Sequence, residues 1–141
     1  MKSEAYLSTA KMRSNDELNE MSKLMGCQEH AYNDMGRDEY CRGITTEMGG
    51  MKVQGPPLHQ AAATVGSGPK PASPEQIFAS HRCKNPRCVN PTHVQWEDYH
   101  ANMRRKTCVG MVKFNVGGKV IWARAEECTC NGHCLDYVTA A

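Results

Sequence analysis

The chain has 141 residues, of which 40% are apolar and only 2 are Phe and 2 Trp, with a mean hydropathy of −0.62. That is one domain's length with few large side chains for a core, and no apolar run approaches the roughly 18 residues of a membrane span. Net charge is +2 and Cys is abundant, at 8 residues; the opening MKSEAYLSTAKMRSNDELNE lacks the apolar stretch of a secretory signal, so the reading is an intracellular protein whose reduced thiols ligate metal.

In chain order, Ser14 to Met25 is predicted helical, with Ser14 or Asn15 as cap and Leu18, Met21, Leu24 and Met25 on one face. Gly26 ends it. Residues 41–54 read as a hairpin turning near Gly49-Gly50. Leu58 to Val65 reads as a helix after Pro56-Pro57, and 66–74 as a loop by composition. Ile77 to Ser80 reads as a strand ending at His81, residues 96–106 as a helix, and Lys113 to Ile121 as a second hairpin around Gly117-Gly118. The expected organisation is an N-terminal helical extension over 1–40, a core over 41–108, and a hairpin with a second metal site over 109–141.

Charge is uneven. Residues 1–40 carry 5 Lys/Arg against 8 Asp/Glu, whereas residues 77–113 carry 7 against 2, a net +5. This basic window holds His81, Cys83, Cys88 and His93, which points to a phosphate-bearing partner.

Cys83, Cys88 and His93 are spaced five apart, with Asn85-Pro86 and Asn90-Pro91 between them. Asn-Pro pairs favour tight turns, so the flanking ligands converge. Two thiolates and an imidazole suit tetrahedral zinc, which needs a fourth ligand. Cys41 is the first choice and Cys27 the alternative. A second set, Cys128, Cys130 and Cys134, has a C-x-C-x3-C pattern that Cys108 completes, with His133 as an alternative ligand. Two zinc ions would supply folding free energy that a small core cannot.

The run His81-x-Cys83-x-Asn85-Pro86-x-Cys88-Val89-Asn90-Pro91-x-His93, followed by Asn102, resembles the HNH nucleases of the ββα-metal (His-Me finger) superfamily. It is most similar to the His-Cys box homing endonucleases. In those, as here, Ser80-His81-Arg82-Cys83 opens the motif, Trp96-Glu97 follows the zinc His, and an Asn lies 21 residues after the first His. A second Cys-rich site then begins six residues on, at Cys108. The likeness is strong over 80–108, extends to 134, and is weak over 41–79, where it rests on Cys41, the Gly turn and His59. Cys130 stands where the family pattern has His, and the insertion 109–127 is longer.

The resemblance implies a small α+β, zinc-stabilised ββα-metal core with two structural zinc sites, acting as a metal-dependent DNA endonuclease of phage or homing type. It assigns His81 as general base and Asn102 as ligand of one Mg²⁺. An amide oxygen is a hard ligand for a hard cation, and a neutral imidazole can take a proton from water. Arg42 is the preferred cation beside the scissile phosphate, with Lys52 and His59 as alternatives. Arg82, Arg87, Arg104, Arg105 and Lys106 are the candidate contacts to double-stranded DNA. The expected setting is a bacterial cytoplasm or a eukaryotic nucleus, with no membrane. The seven residues after Cys134 leave a homodimer without support. The competing reading is a non-catalytic zinc module that binds nucleic acid; it gives no reason for His81 to accompany Asn102.

Overall fold

The computed structural model describes residues 3–8, 13–14, 16, 18, 20–30, 45–130, 132–135 and 137–139. Helices α1 (Ser3–Ser8) and α2 (Glu20–Met25) precede hairpin β1 (Thr45–Met48) and β2 (Met51–Gln54). Helix α3 (Leu58–Ser67) leads to β3 (Ile77–His81), a 3₁₀ turn at Pro91–His93, β4 (Val94–Asp98) and α4 (Tyr99–Thr107). Strands β5 (Met111–Val116), β6 (Lys119–Arg124) and β7 (Tyr137–Thr139) form an antiparallel sheet in the order β5-β6-β7. Both predicted hairpins form, turning at Gly49-Gly50 and Gly117-Gly118, where all four glycines have positive φ. Of the helix expected over 14–25, Glu20–Met25 forms, and Gly26 at φ 78° ends it.

The helix expected over 96–106 begins later. Trp96 and Glu97 are in β4, paired with Ala79 and Phe78, and the helix starts at Tyr99. Asp98 sets that boundary: its side chain accepts from the Ala101 N–H at 2.8 Å, so the chain turns from extended to helical there.

The β3–β4 hairpin is packed on both faces. Directly paired residues share a face, which puts Ala79, His81, Val94 and Trp96 on one side and Ser80, Gln95, Phe78 and Glu97 on the other. The first side meets α3, forming the core of Leu58, Ala61, Ala62, Ala63, Ala79, Val89 and Val94. Trp96 closes its edge and donates its indole N–H to the Gly68 carbonyl at 2.9 Å. The second side meets α4 through an ion pair between Glu97 and Arg105. Small alanines on α3 let the helix lie close to the sheet, so a thin apolar supply still makes a dry contact.

Gly66 marks the tightest approach of α3 to the turn before β4. A Cβ there would lie 2.0 Å from the Pro91 carbonyl oxygen. Backbone on both sides cannot yield cheaply, so Gly66→Ala is expected to cost about 1–3 kcal/mol or more. Denaturant unfolding of the zinc-loaded protein checks this; an unchanged midpoint would contradict it. No helix among the described residues is long and apolar enough to cross a membrane.

Candidate metal centres and catalytic cleft

The connection between β3 and β4 is a loop built around Cys83, Cys88 and His93. Its base is pinched by the Arg82 N–H, which donates to the His93 carbonyl at 2.7 Å. Asn85 makes the first turn, accepting from the Arg87 N–H at 3.0 Å on its side chain, while its carbonyl accepts from the Cys88 N–H at 3.0 Å. Asn90 makes the second, capping the 3₁₀ turn through the Thr92 N–H at 3.0 Å. Each Asn-Pro pair thus reverses the chain and returns a ligand to the centre.

The fourth position belongs to Cys27. Cys27, Cys83, Cys88 and His93 are buried together with their ligand atoms all within 4.8 Å of one another. Cys27 was the alternative to Cys41, which lies outside the described residues; among the described residues the four donors Cys27, Cys83, Cys88 and His93 converge, the number a tetrahedral ion takes. The reason is the path of residues 26–30 along the loop. The Val89 N–H donates to the Gln28 carbonyl at 2.7 Å, Glu29 bridges to Cys88, and Asn90 donates to the Gly26 carbonyl at 2.7 Å. Asn85 also donates to the Glu29 carboxylate at 2.9 Å. The two Asn that shape the loop therefore also hold the segment that brings Cys27.

Cys108, Cys128, Cys130 and Cys134 form the second group, again within 4.8 Å, and His133 is exposed outside it. Both groups fit zinc by shape. Bonds of about 2.3 Å to sulfur and 2.0–2.1 Å to nitrogen give tetrahedron edges of about 3.6–3.8 Å. The Cys88 Sγ to His93 Nδ1 separation is 3.4 Å, Cys27 Sγ to His93 Nδ1 is 3.7 Å, and Cys128 Sγ to Cys134 Sγ is 3.7 Å. They fit by charge too. Hydrogen bonds from the Cys83 and Cys88 thiols hold Cys27 far below the usual thiol range, and the same contacts push Cys83 up and Cys88 to about 12. One buried thiolate suppresses its neighbours, so only a cation at the centre lets all of them ionise. In the second group, burial opposes ionisation of Cys128, yet hydrogen bonds from Cys134 and Cys130 bring it down to about 6; burial pushes Cys134 up to about 12.

Beside the first loop lies a cleft of about 310 Å³ lined by Ser80, His81, Lys84, Pro86, Asn102, Arg105 and Lys106. His81 ends β3 on the hairpin face that meets α3 and Asn102 sits one turn into α4 on the other face, and both residues line this cleft. His81 Nε2 lies 2.8 Å from the Cys88 carbonyl oxygen. A carbonyl only accepts, so Nε2 carries the proton and the basic lone pair is on Nδ1. Burial pushes the His81 pKa from its ordinary 6.5 down to about 4, which keeps the ring neutral at pH 7. Its ring stacks on His59 of α3, with centroids 5.6 Å apart and an interplanar angle of 27°. Asn102 is buried, lines the cleft, and has no hydrogen bond to its amide among the described residues.

The cations divide into two groups. Arg105, a candidate DNA contact, is buried, paired with Glu97, and donates to the Gly132 carbonyl at 3.1 Å. Arg82 donates from Nε to the Gly132 and His133 carbonyls at 3.0 and 3.1 Å. Both arginines therefore tie the second Cys loop to the hairpin. Lys84, which the sequence reading did not single out, has φ 59° and donates to the Arg105 and Cys108 carbonyls at the C-terminal end of α4. Arg104 and Lys106 are exposed, and Lys106 is on the cleft wall. Arg87 is half-buried in the zinc loop. Arg42 lies outside the described residues; Lys52 is exposed on β2, away from the cleft lining.

A family model described as the zinc-binding loop region of homing endonuclease matches residues 52–141. The chain belongs to this family. No curated protein and no solved structure matches the chain. The match assigns this homing-endonuclease zinc module a span that holds every ligand of both clusters except Cys27. The β3–loop–β4–α4 order, with the zinc loop between the strands, is the ββα arrangement of His-Me endonucleases. Cys27, the fourth candidate donor of the first cluster, lies outside the matched span.

Proposed function

We propose that the protein is a metal-dependent DNA endonuclease of homing type, with His81 as general base and Asn102 as the ligand of one Mg²⁺. The observation that carries this reading is that a neutral, oriented histidine and a buried amide with no hydrogen bond among the described residues line one cleft beside a zinc loop. A non-catalytic zinc module would have no reason to bury either group there. The zinc ions are structural, since each cluster supplies four ligands and leaves no open position.

Phosphodiester hydrolysis requires an activated water and neutralisation of charge as the 3′ oxygen departs. His81 accepts the water's proton on Nδ1, while its Nε2–H stays donated to the Cys88 carbonyl and fixes the ring. His59 packs against the ring and limits its rotation. The amide oxygen of Asn102 fits a hard divalent cation as its one protein ligand. When bound, that cation supplies positive charge to the scissile phosphate and the leaving oxygen. Lys106 adds a cation on the cleft wall, and Arg42 remains the candidate beside the non-bridging oxygens.

Asn102→Ala tests the metal assignment. The expected result is that plasmid cleavage requires far more Mg²⁺ or is lost, while two zinc ions per chain are retained. Wild-type Mg²⁺ dependence in that variant would remove Asn102 from the reading.

Arg104 and Lys106 carry the phosphate contacts on α4. Each such contact releases counterions, so neutralising both is expected to flatten the slope of log affinity against log salt by up to about two. The loss should be equal for unrelated duplexes. Binding titrations over a salt series check this, and an unchanged slope would make that helix end plain surface.

A further inference from the structure

The β5–β6 ribbon plays no part in the cleft, and its surface is unusual. From Met111 to Arg124 it carries Lys113, Lys119 and Arg124 and no acid. Towards its tip both faces are open: Lys113, Phe114, Asn115, Val116, Gly117, Gly118 and Lys119 are all exposed, with Phe114 at 49% and Val116 at 57%. Paired positions share a face, which places Lys113 and Asn115, together with Arg124, on one side of the ribbon. These are the side-chain types that recognise base edges: Lys and Arg on guanine, Asn on adenine.

The base of the ribbon is fixed on both strands. Cys108 and Cys128 flank it and belong to one metal group, and the Ala125 N–H donates to the Gly110 carbonyl at 2.8 Å. That base abuts the cleft: a Cβ on Gly110 would lie 2.3 Å from Cδ of Lys84, which lines the cavity. We infer that the β5–β6 ribbon enters the major groove of duplex DNA beside the cleft and reads its bases through Lys113, Asn115 and Arg124, with the second Cys cluster as its clamp. β7 pairs with β6 over Val120–Trp122, so β5 is the free edge and only the tip over 115–119 extends past β7 as two strands, the width that fits a groove about 12 Å wide. Six-residue strands at about 3.4 Å per residue span about six base pairs. The inference rests on the proposed nuclease function only in taking duplex DNA as the partner.

The test is a binding selection from a pool of randomised duplexes, using His81→Ala protein so that no cutting intervenes. The protein with its ribbon intact is expected to enrich a pattern of about six base pairs. Asn115→Ala and Lys113→Ala, each placed at an exposed position and verified to hold two zinc ions, are expected to relax one position each by about 5- to 150-fold. An unchanged pattern in both variants, or no pattern with the intact ribbon, would overturn the inference. So would a dimer that Phe114→Ser turns into a monomer with the base pattern unchanged, since a second copy would then cover the ribbon. Base-selective binding by a protein that never cuts plasmid would defeat the nuclease reading and support the ribbon's role.

Discussion

Cys27→Ser is expected to bind one zinc ion per chain instead of two and to lose its cooperative fold. The side chain is buried between Cys83, Cys88 and His93, so a serine leaves a three-ligand site. Structural zinc supplies about 10–16 kcal/mol in small zinc domains. Whole-domain stability is only about 5–15 kcal/mol. Weakening this site therefore removes the margin on which the small alanine-lined core depends. Cys41→Ser is expected to keep both ions and the wild-type unfolding transition. Elemental analysis with circular dichroism on the two variants checks the pair. Zinc lost from Cys41→Ser and kept in Cys27→Ser would reverse the assignment.

His81→Ala is expected to lower the cleavage rate by about 10²–10⁴-fold, the usual range for a general base. Zinc content should stay at two, because His81 is not among the ligands of either cluster. The pH dependence follows from its environment. Burial lowers the pKa to about 4 from 6.5, and the neutral ring is the active form. The wild-type rate should therefore stay flat down to about pH 5 and fall below it, to half near pH 4, with one proton removing activity. A variant whose residual rate no longer falls over that window would show that the limb belongs to His81. A limb unchanged in His81→Ala would assign it to another group or to zinc loss.

The first metal loop was legible in the sequence because its information is local. Cys83, Cys88 and His93 are adjacent in the chain, and the Asn-Pro turns that converge them are written between them. The second cluster was legible for the same reason, with Cys108 close behind α4. Cys27 was not separable from Cys41, since spacing says nothing of which distant thiol the chain brings back. The signal was present in Asn85 and Asn90, which serve both the turns and the 26–30 segment, but it takes coordinates to see that double use. Arg104, Arg105 and Lys106 look alike as a basic helix end. Only packing distinguishes Arg105, which falls with Ala101 and Asn102 on the buried face of α4 and meets Glu97. The strand at 94–98 was missed because Trp96 and Glu97 were assigned to the helix that Asp98 begins.

The proposed nuclease activity is tested most directly by conversion of supercoiled plasmid by the zinc-saturated wild-type protein, with and without Mg²⁺, beside His81→Ala. Nicked or linear product is expected only from the wild type and only with Mg²⁺. Intact plasmid in every lane, or equal cutting by His81→Ala, would contradict it.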